Sequence, residues 1–381
     1  MLTKEELARY NRHIIIPEFN LEGQEKLKAA KVLVVGCGGL GAPLLSYLVA
    51  AGVGTIGIVD FDVVDKSNLH RQVLFSLEDV GKSKVETAAK KLNAQNPHVN
   101  IIAHNLRLTA ENALDIIKDY DIVADGTDNF PTRYLVNDAC VLLNKVNVHA
   151  SIYRFEGQLS VFNYTDKNGV IGPNYRDLFP EPPAPNTVPS CAEGGVLGVL
   201  PGIMGSLQAN EVIKVITGLG EPLSAKLFIL DTLSFQNTTL KFSANPENPL
   251  SGDNPTQTTL IDYEEFCGLK AQNDEVEEEI TAIKLKEMIS EKEDFQLIDV
   301  RNAFEYEIAN LGGELIPLNT LHDAYEKISR DKKVVVHCKG GQRSKQAIQI
   351  LKEEYGYTNL LNLKGGIMAW IKDVDPEMST Y

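Results

Sequence analysis

The sequence predicts an α/β chain of two domains, and three observations carry that expectation. Short apolar runs of strand length alternate with helix-length amphipathic stretches through the first 150 residues, the pattern of a mainly parallel sheet covered on both faces. The first run, Lys31-Val32-Leu33-Val34-Val35, empties into Gly36-Cys37-Gly38-Gly39-Leu40-Gly41 and then a helical pattern over 42–51. A second, smaller alternation begins at Ile280, where Lys333-Val334-Val335-Val336-His337 leads into Cys338-Lys339-Gly340-Gly341-Gln342-Arg343 and a helix over 344–354.

Taken in order, a helix over 4–10, the stretch Asn11-Arg12-His13-Ile14-Ile15-Ile16 and a helix ending near residue 30 precede the glycine turn. Strands over 55–60, 99–103, 121–125 and 146–150 are separated by helical patterns at 84–95 and 132–143. Strands over 158–164 and within 226–241 read as antiparallel, and between them Phe179-Pro180-Glu181-Pro182-Pro183-Ala184-Pro185 can only be a loop. A helix over 203–217 stops at Gly218. The polar, proline-bearing segment 244–280, with its acidic run Glu275–Glu279, reads as a linker, so the domains are 1–243 and 281–381.

A formal charge of −15 argues against sequence-independent nucleic-acid binding. Charged residues stand at positions 4–6 where a signal peptide is apolar, and the longest uncharged stretch, 194–210, holds five glycines and a proline, a poor membrane span. The five cysteines (37, 140, 191, 267 and 338) are too scattered for a disulfide framework, so a reducing, cytoplasmic setting is expected.

A glycine turn between strand and helix lets backbone approach a phosphate closely, with helix N–H groups facing the anion. A tight turn without ligand is the plain alternative. Asp60 ends the next strand 19 residues after Gly41, the usual place for a ribose partner. Arg71 and Lys84, with Asp128 at a later strand end, fit a triphosphate with magnesium better than a nicotinamide pyrophosphate. Taken singly, each charge is equally a surface ion pair. Cys191, among small residues after the proline loop, is either reactive or a packed thiol. Cys338 closes a strand at a glycine-rich turn, where backbone N–H groups with Lys339 and Arg343 favour a thiolate or persulfide anion. Cys37 and Cys140 read as packing residues, Cys267 has no assigned role, and His104, His149 and His337 read as structural.

Together, Asn11-Arg12-His13, the glycine turn, Val59-Asp60-Phe61-Asp62, Ser67-Asn68-Leu69-His70-Arg71-Gln72 and Asp125-Gly126-Thr127-Asp128-Asn129 resemble the ubiquitin-activating-like adenylyltransferases. The molybdopterin-synthase and thiamine sulfur-carrier types are the members most similar in these motifs, over about residues 3–242. The resemblance implies a Rossmann-like domain in which Gly36, Gly38, Gly39, Gly41, Asp60, Ser67, Asn68, Arg71, Lys84, Asp128 and Asn129 bind ATP. It implies that Asp128 holds magnesium, that Arg12 reaches the γ-phosphate of a neighbouring subunit in a homodimer, and that Cys191 links covalently to the carrier's C-terminus. The carrier would be ubiquitin-like, ending in Gly-Gly.

Relatives usually bind a structural zinc through two C-x-x-C pairs. The matching stretches here are Asn174-Tyr175-Arg176-Asp177 and Asn248-Pro249-Leu250-Ser251, so a zinc-free protein is expected.

Residues 281–381 resemble a rhodanese domain through Asp299-Val300-Arg301, the loop Cys338-Lys339-Gly340-Gly341-Gln342-Arg343-Ser344 and Leu363-Lys364-Gly365-Gly366-Ile367-Met368-Ala369-Trp370. Four residues between Cys338 and Arg343, one fewer than in a cysteine phosphatase, suit sulfur rather than phosphate. Asn310-Leu311-Gly312-Gly313 departs from a common His and Pro without touching the chemistry. The implied activity is adenylation of the carrier, then persulfide transfer through Cys338, loaded by a donor such as a cysteine desulfurase. The pathway expected first is molybdenum cofactor biosynthesis, with thiamine biosynthesis or tRNA thiolation as alternatives. An NAD-dependent oxidoreductase leaves Arg12, Arg71 and Cys338 unexplained, and a non-catalytic docking scaffold leaves the intact ATP and persulfide residues unexplained.

Overall fold

The computed structural model describes residues 1–184, 194–269 and 279–380, and the chain divides into two compact units, Met1–Lys270 and Ala271–Tyr381. The first unit opens with α1 (Lys4–Arg9), α2 (Asn11–Ile14) and α3 (Asn20–Ala29), then β1 (Lys31–Val35) and α4 (Gly41–Ala51). The alternation continues through β2 (Thr55–Val59), α5 (Lys84–Gln95), β3 (Asn100–His104), α6 (Ala113–Ile117), β4 (Ile122–Asp125), α7 (Phe130–Leu142) and β5 (Val146–Tyr153). There follow β6 (Glu156–Phe162), α8 (Tyr175–Leu178), α9 (Leu200–Thr217), β7 (Lys226–Asp231), β8 (Gln236–Lys241) and α10 (Tyr263–Phe266).

These strands form one sheet in the order β3-β2-β1-β4-β5-β6-β7-β8. Pairing is parallel from β3 to β5 and antiparallel from β5 to β8, the mixed, mainly parallel sheet the sequence predicts. Strand order reverses between β1 and β4, the switch point where ligands settle in open α/β sheets. The registers Val35↔Val59 and Val35↔Asp125 align the turns after β1, β2 and β4 along one edge.

Core packing follows from strand alternation. Val32 and Val34 enter one apolar cluster and Leu33 and Val35 the opposite one, so β1 is sealed on both faces. Leu44, Leu45, Leu48 and Val49 of α4 are fully buried, each worth roughly 1.5–3 kcal/mol. Gly52, at φ 86°, then ends the helix in the left-handed conformation.

Residues 244–269 differ from the linker expectation. Tyr263 and Cys267 are buried in the same cluster as Tyr134 and Tyr175. The Asp138 carboxylate accepts hydrogen bonds from Arg176 Nε and Nη2, Tyr263 Oη and Gln257 Nε2, all at 2.8 Å. Polar, proline-bearing composition reads as solvated chain, yet here the polar groups point inward and satisfy one another.

The second unit comprises β9 (Glu279–Ile280), α11 (Ala282–Ser290), β10 (Phe295–Asp299), α12 (Ala303–Ile308), β11 (Glu314–Leu315), α13 (Leu321–Ala324), β12 (Lys333–His337), α14 (Gln342–Tyr355), β13 (Leu360–Leu363) and α15 (Gly366–Asp373). Its sheet is parallel throughout, in the order β11-β10-β12-β13-β9, with β12 at the centre. Val334 and Val336 pack on one face and Val335 on the other. No described helix in either unit is long and apolar enough to cross a membrane.

Candidate active sites

The switch point of the first sheet holds an open cleft. Gly36, Gly38, Gly39, Asp60, Arg71, Lys84, Asp128 and Asn129 line it, so eight of the eleven expected nucleotide residues converge. Gly41, Ser67 and Asn68 are not in its wall. A Cβ on Gly41 would lie 2.0 Å from Gly36 O, so this glycine is what lets the turn close, and Gly36 itself sits at φ +89°. The side chain and N–H of Ser67 turn to Asp65, while its carbonyl accepts from Arg71 Nη1 at 3.1 Å. Asn68 O accepts the backbone N–H groups of Arg71 and Gln72, which fixes the turn that carries both residues to the rim. Arg12 lies exposed on α2, outside the cleft wall. Cys191 lies outside the described residues.

Asp60 ties the edge together. Its Oδ2 accepts from Cys37 N at 2.9 Å and from Cys37 Sγ at 3.3 Å, and Oδ1 accepts from Asp62 N at 2.9 Å. Burial and then the Asp60 charge push the Cys37 thiol well above its ordinary range, so it packs and does not react. Lys84, the first residue of α5, is buried, and its Nζ meets Asp62 Oδ2 at 2.9 Å. Asn129 caps α7, its Oδ1 accepting Thr132 N at 3.0 Å. The loop carrying Asp128 is fastened from below by the fully buried Asp125. Burial would raise the Asp125 carboxyl, but hydrogen bonds from His149 Nδ1 (3.0 Å) and Thr127 outweigh it and hold it low. Gln208 Nε2 joins Asp125 O and Val148 O at 2.8 Å each.

This donor set fits a polyphosphate. A helix N-terminus that no side chain caps, a guanidinium and a buried ammonium surround one concavity. Asp128 makes no hydrogen bond or ion pair to the described residues, which leaves its carboxylate open to a hard cation. Sequence reasoning passed over Gln72, Arg107 and Arg133 as site residues, all of which line the cleft. Arg133 sits four residues after Asn129, one turn along α7, and that spacing was the available signal.

The four positions matched to zinc ligands also converge, in another way. Asn174 Nδ2 donates to Ser251 Oγ at 2.8 Å, and Asn248 Nδ2 reaches Asp177 Oδ1 at 2.7 Å and Asn174 Oδ1 at 3.2 Å. Asp177 further accepts from the N–H groups of Asn174 and Asn245. Two amides, a hydroxyl and one carboxylate already engaged do not fit tetrahedral thiolate zinc.

In the second unit Cys338 is buried at the C-terminal end of β12. Its Sγ receives Gly341 N–H at 3.1 Å and lies 3.5 Å from Ser344 Oγ, which is itself 2.7 Å from Asn362 Oδ1. Gly341, at φ 98°, turns the loop into α14. The first turn of α15 holds the loop from behind, with Ile367 N on Cys338 O and Met368 N on Lys339 O. A Cβ on Gly366 would sit 2.4 Å from Cys338 O, which explains the paired glycines 365 and 366. Gly340 and Gln342 face solvent. Lys339 is half-buried, and burial depresses its ammonium pKa, with Glu305 opposing. The sequence expectation that Arg343 adds positive potential needs correction: its guanidinium is paired bidentately with Glu305, at 2.6 and 2.7 Å. His337 is buried with neither ring nitrogen hydrogen-bonded among the described residues, and burial pulls its pKa down to about 4.

Comparison with known proteins adds the following. The ThiF family model matches residues 10–251 and the rhodanese-like domain model matches residues 281–373. The chain is 47% identical to the probable adenylyltransferase/sulfurtransferase MoeZ of Mycobacterium tuberculosis, covering 100% of this chain and 96% of that protein. It is 56% identical to a sulfur carrier protein adenylyltransferase of Thermus thermophilus, over 70% of this chain and 99% of the relative. The crystal structure of E. coli MccB with ATP superposes with a TM-score of 0.52 at 25% identity, covering 64% of this chain and 73% of that one.

Proposed function

This chain belongs to the ThiF family and carries a rhodanese-like domain, and from that premise we propose that it activates the C-terminal glycine of a ubiquitin-like sulfur carrier with Mg-ATP and converts it to a thiocarboxylate. It is an adenylyltransferase and sulfurtransferase, with adenylation assigned to residues 1–243 and sulfur transfer to 281–381. The observation that carries the reading is the switch-point cleft, where Arg71, Lys84 and Asp128 stand around the glycine turn in a chain that also holds the Cys338 loop.

The chemistry needs no side-chain nucleophile in the first step. The carrier carboxylate attacks the α-phosphorus and pyrophosphate departs, so the protein's work is to align the groups and neutralise charge. Arg71 and Lys84 face the phosphates, Arg12 comes from the neighbouring protomer of a homodimer, and Asp128 would hold the magnesium. When bound, the metal adds positive charge at the phosphate oxygens. The terminal sulfur of a Cys338 persulfide then attacks the acyl carbon and AMP leaves. A thiol, assigned to Cys191, attacks Cys338 Sγ, and the thiocarboxylate departs with the sulfur–sulfur electron pair. The resulting disulfide is reset by cellular thiols. The carrier ends in Gly-Gly, the persulfide comes from a donor such as a cysteine desulfurase, and the setting is cytoplasmic. The pathway is molybdenum cofactor biosynthesis, with thiamine biosynthesis and tRNA thiolation as the other destinations of the same chemistry.

The test is reconstitution. Incubated with carrier, Mg-ATP and a persulfide donor, the protein should convert the carrier's terminal carboxylate to a thiocarboxylate, read by intact mass. Unchanged carrier, together with calorimetric binding of NAD in place of ATP, would overturn the reading.

A further inference from the structure

Around Cys338 the charges are paired in a particular order. Arg301 is fully buried and bonded to Asp299 through Nε and Nη2. Its Nη1 donates to the carbonyl of Glu305 at 3.4 Å and its Nη2 to Ala309 O, just past the end of α12, at 2.7 Å, so α12 is anchored to the end of β10. Glu305 is buried, and its Oε2 accepts from Asn302 N at 3.0 Å and Nδ2 at 3.2 Å in a capping box. From this fixed position its two oxygens take both terminal nitrogens of Arg343. The last residue of the persulfide loop is thereby held by an acidic side chain 38 residues earlier in the chain. Lys345 and Lys364 share the one carboxylate of Glu279, at 3.0 and 3.4 Å, which offsets one of their two charges.

The consequence is electrostatic. A rhodanese-type loop with an uncompensated guanidinium attracts small dianions, whereas a bidentate carboxylate cancels that charge and commits its planar fork. What stabilises negative charge on sulfur here is chiefly backbone, the Gly341 N–H at 3.1 Å, with Lys339 beside it. That arrangement accommodates a persulfide sulfur without drawing a doubly charged donor.

We propose that Glu305 is a specificity-determining positioning residue: by holding Arg343 it sets the charge of the Cys338 loop and selects persulfide donors over small dianionic sulfane donors such as thiosulfate. The inference rests on the sulfurtransferase reading of Cys338. With thiosulfate, the Cys338 thiolate bonds to the sulfane sulfur and the thiosulfate S–S bond breaks, its pair leaving on sulfite. Cyanide then removes the sulfane sulfur as thiocyanate and returns the thiolate.

The experiment compares full-length wild type, Glu305→Gln and Arg343→Gln, each with thiosulfate and with cysteine persulfide, at low and high ionic strength. Gln keeps the shape of Glu305 and its Asn302 contacts while freeing the guanidinium's charge. In Glu305→Gln the ratio of thiosulfate KM to persulfide KM should fall about tenfold at low salt, and the gain should shrink as salt rises. Arg343→Gln leaves Glu305 uncompensated and should move the ratio the other way. The double variant should lose the gain. A ratio unchanged in all variants, or both donors weakened in proportion, overturns the proposal. No thiocyanate from wild type with either donor overturns the underlying sulfurtransferase reading instead.

Discussion

Asp128→Ala should lower carrier-dependent exchange of pyrophosphate into ATP by about 10²–10³-fold, the usual loss on removing one preorganised electrostatic element from a transition state. The residue suits this test because its removal disturbs little else. Asp128 is exposed in the cleft and makes no hydrogen bond among the described residues, whereas the loop's fastening runs through Asp125, Thr127 and His149. The melting temperature should therefore stay close to wild type, which separates a lost charge from a lost fold. Exchange at the wild-type rate would remove Asp128 from the metal-holding role and with it the assignment of the cleft.

Cys338→Ala should separate the two activities. Adenylation, read by the same exchange, should persist at wild-type rate, while thiocarboxylate formation should drop below detection by intact carrier mass. Deleting a buried sulfur from a loop held by Ile367 N and Met368 N removes one acceptor of the Gly341 N–H but leaves the backbone clamps in place. Thiocarboxylate formed by the variant would contradict Cys338 as the sulfur-bearing group.

Much of this architecture was legible because its signals are local. The glycine turn, the β1 register and the alternation of strands through β5 follow from short periodic runs, and the residues at strand ends fall on one sheet edge once the sheet is parallel. Three features were not legible, each because its meaning lies in pairing. Residues 244–269 look solvated, but Gln257 and Tyr263 spend their polarity on Asp138, more than a hundred residues earlier. Arg343 reads as a free cation until Glu305 arrives from another helix. Ser67 and Asn68 stand in a motif expected to bind nucleotide, yet in this fold the Ser67 carbonyl holds the Arg71 guanidinium and the Asn68 carbonyl holds the backbone of Arg71 and Gln72. A single sequence records which groups are polar and not which groups meet.

The Asn174–Asp177–Asn248–Ser251 junction carries one more consequence, for how this protein matures. A fold closed by thiolates and a trace element must wait for supply of that element and loses its brace when the thiols oxidise. A brace of amides, a hydroxyl and a carboxylate needs no metal ion to complete it and holds no thiol for peroxide to attack. Denatured in urea and returned to buffer with a strong chelator, the first unit should recover the same yield and melting temperature as in buffer supplemented with zinc. Recovery that improves with added zinc would contradict a metal-free brace at this junction.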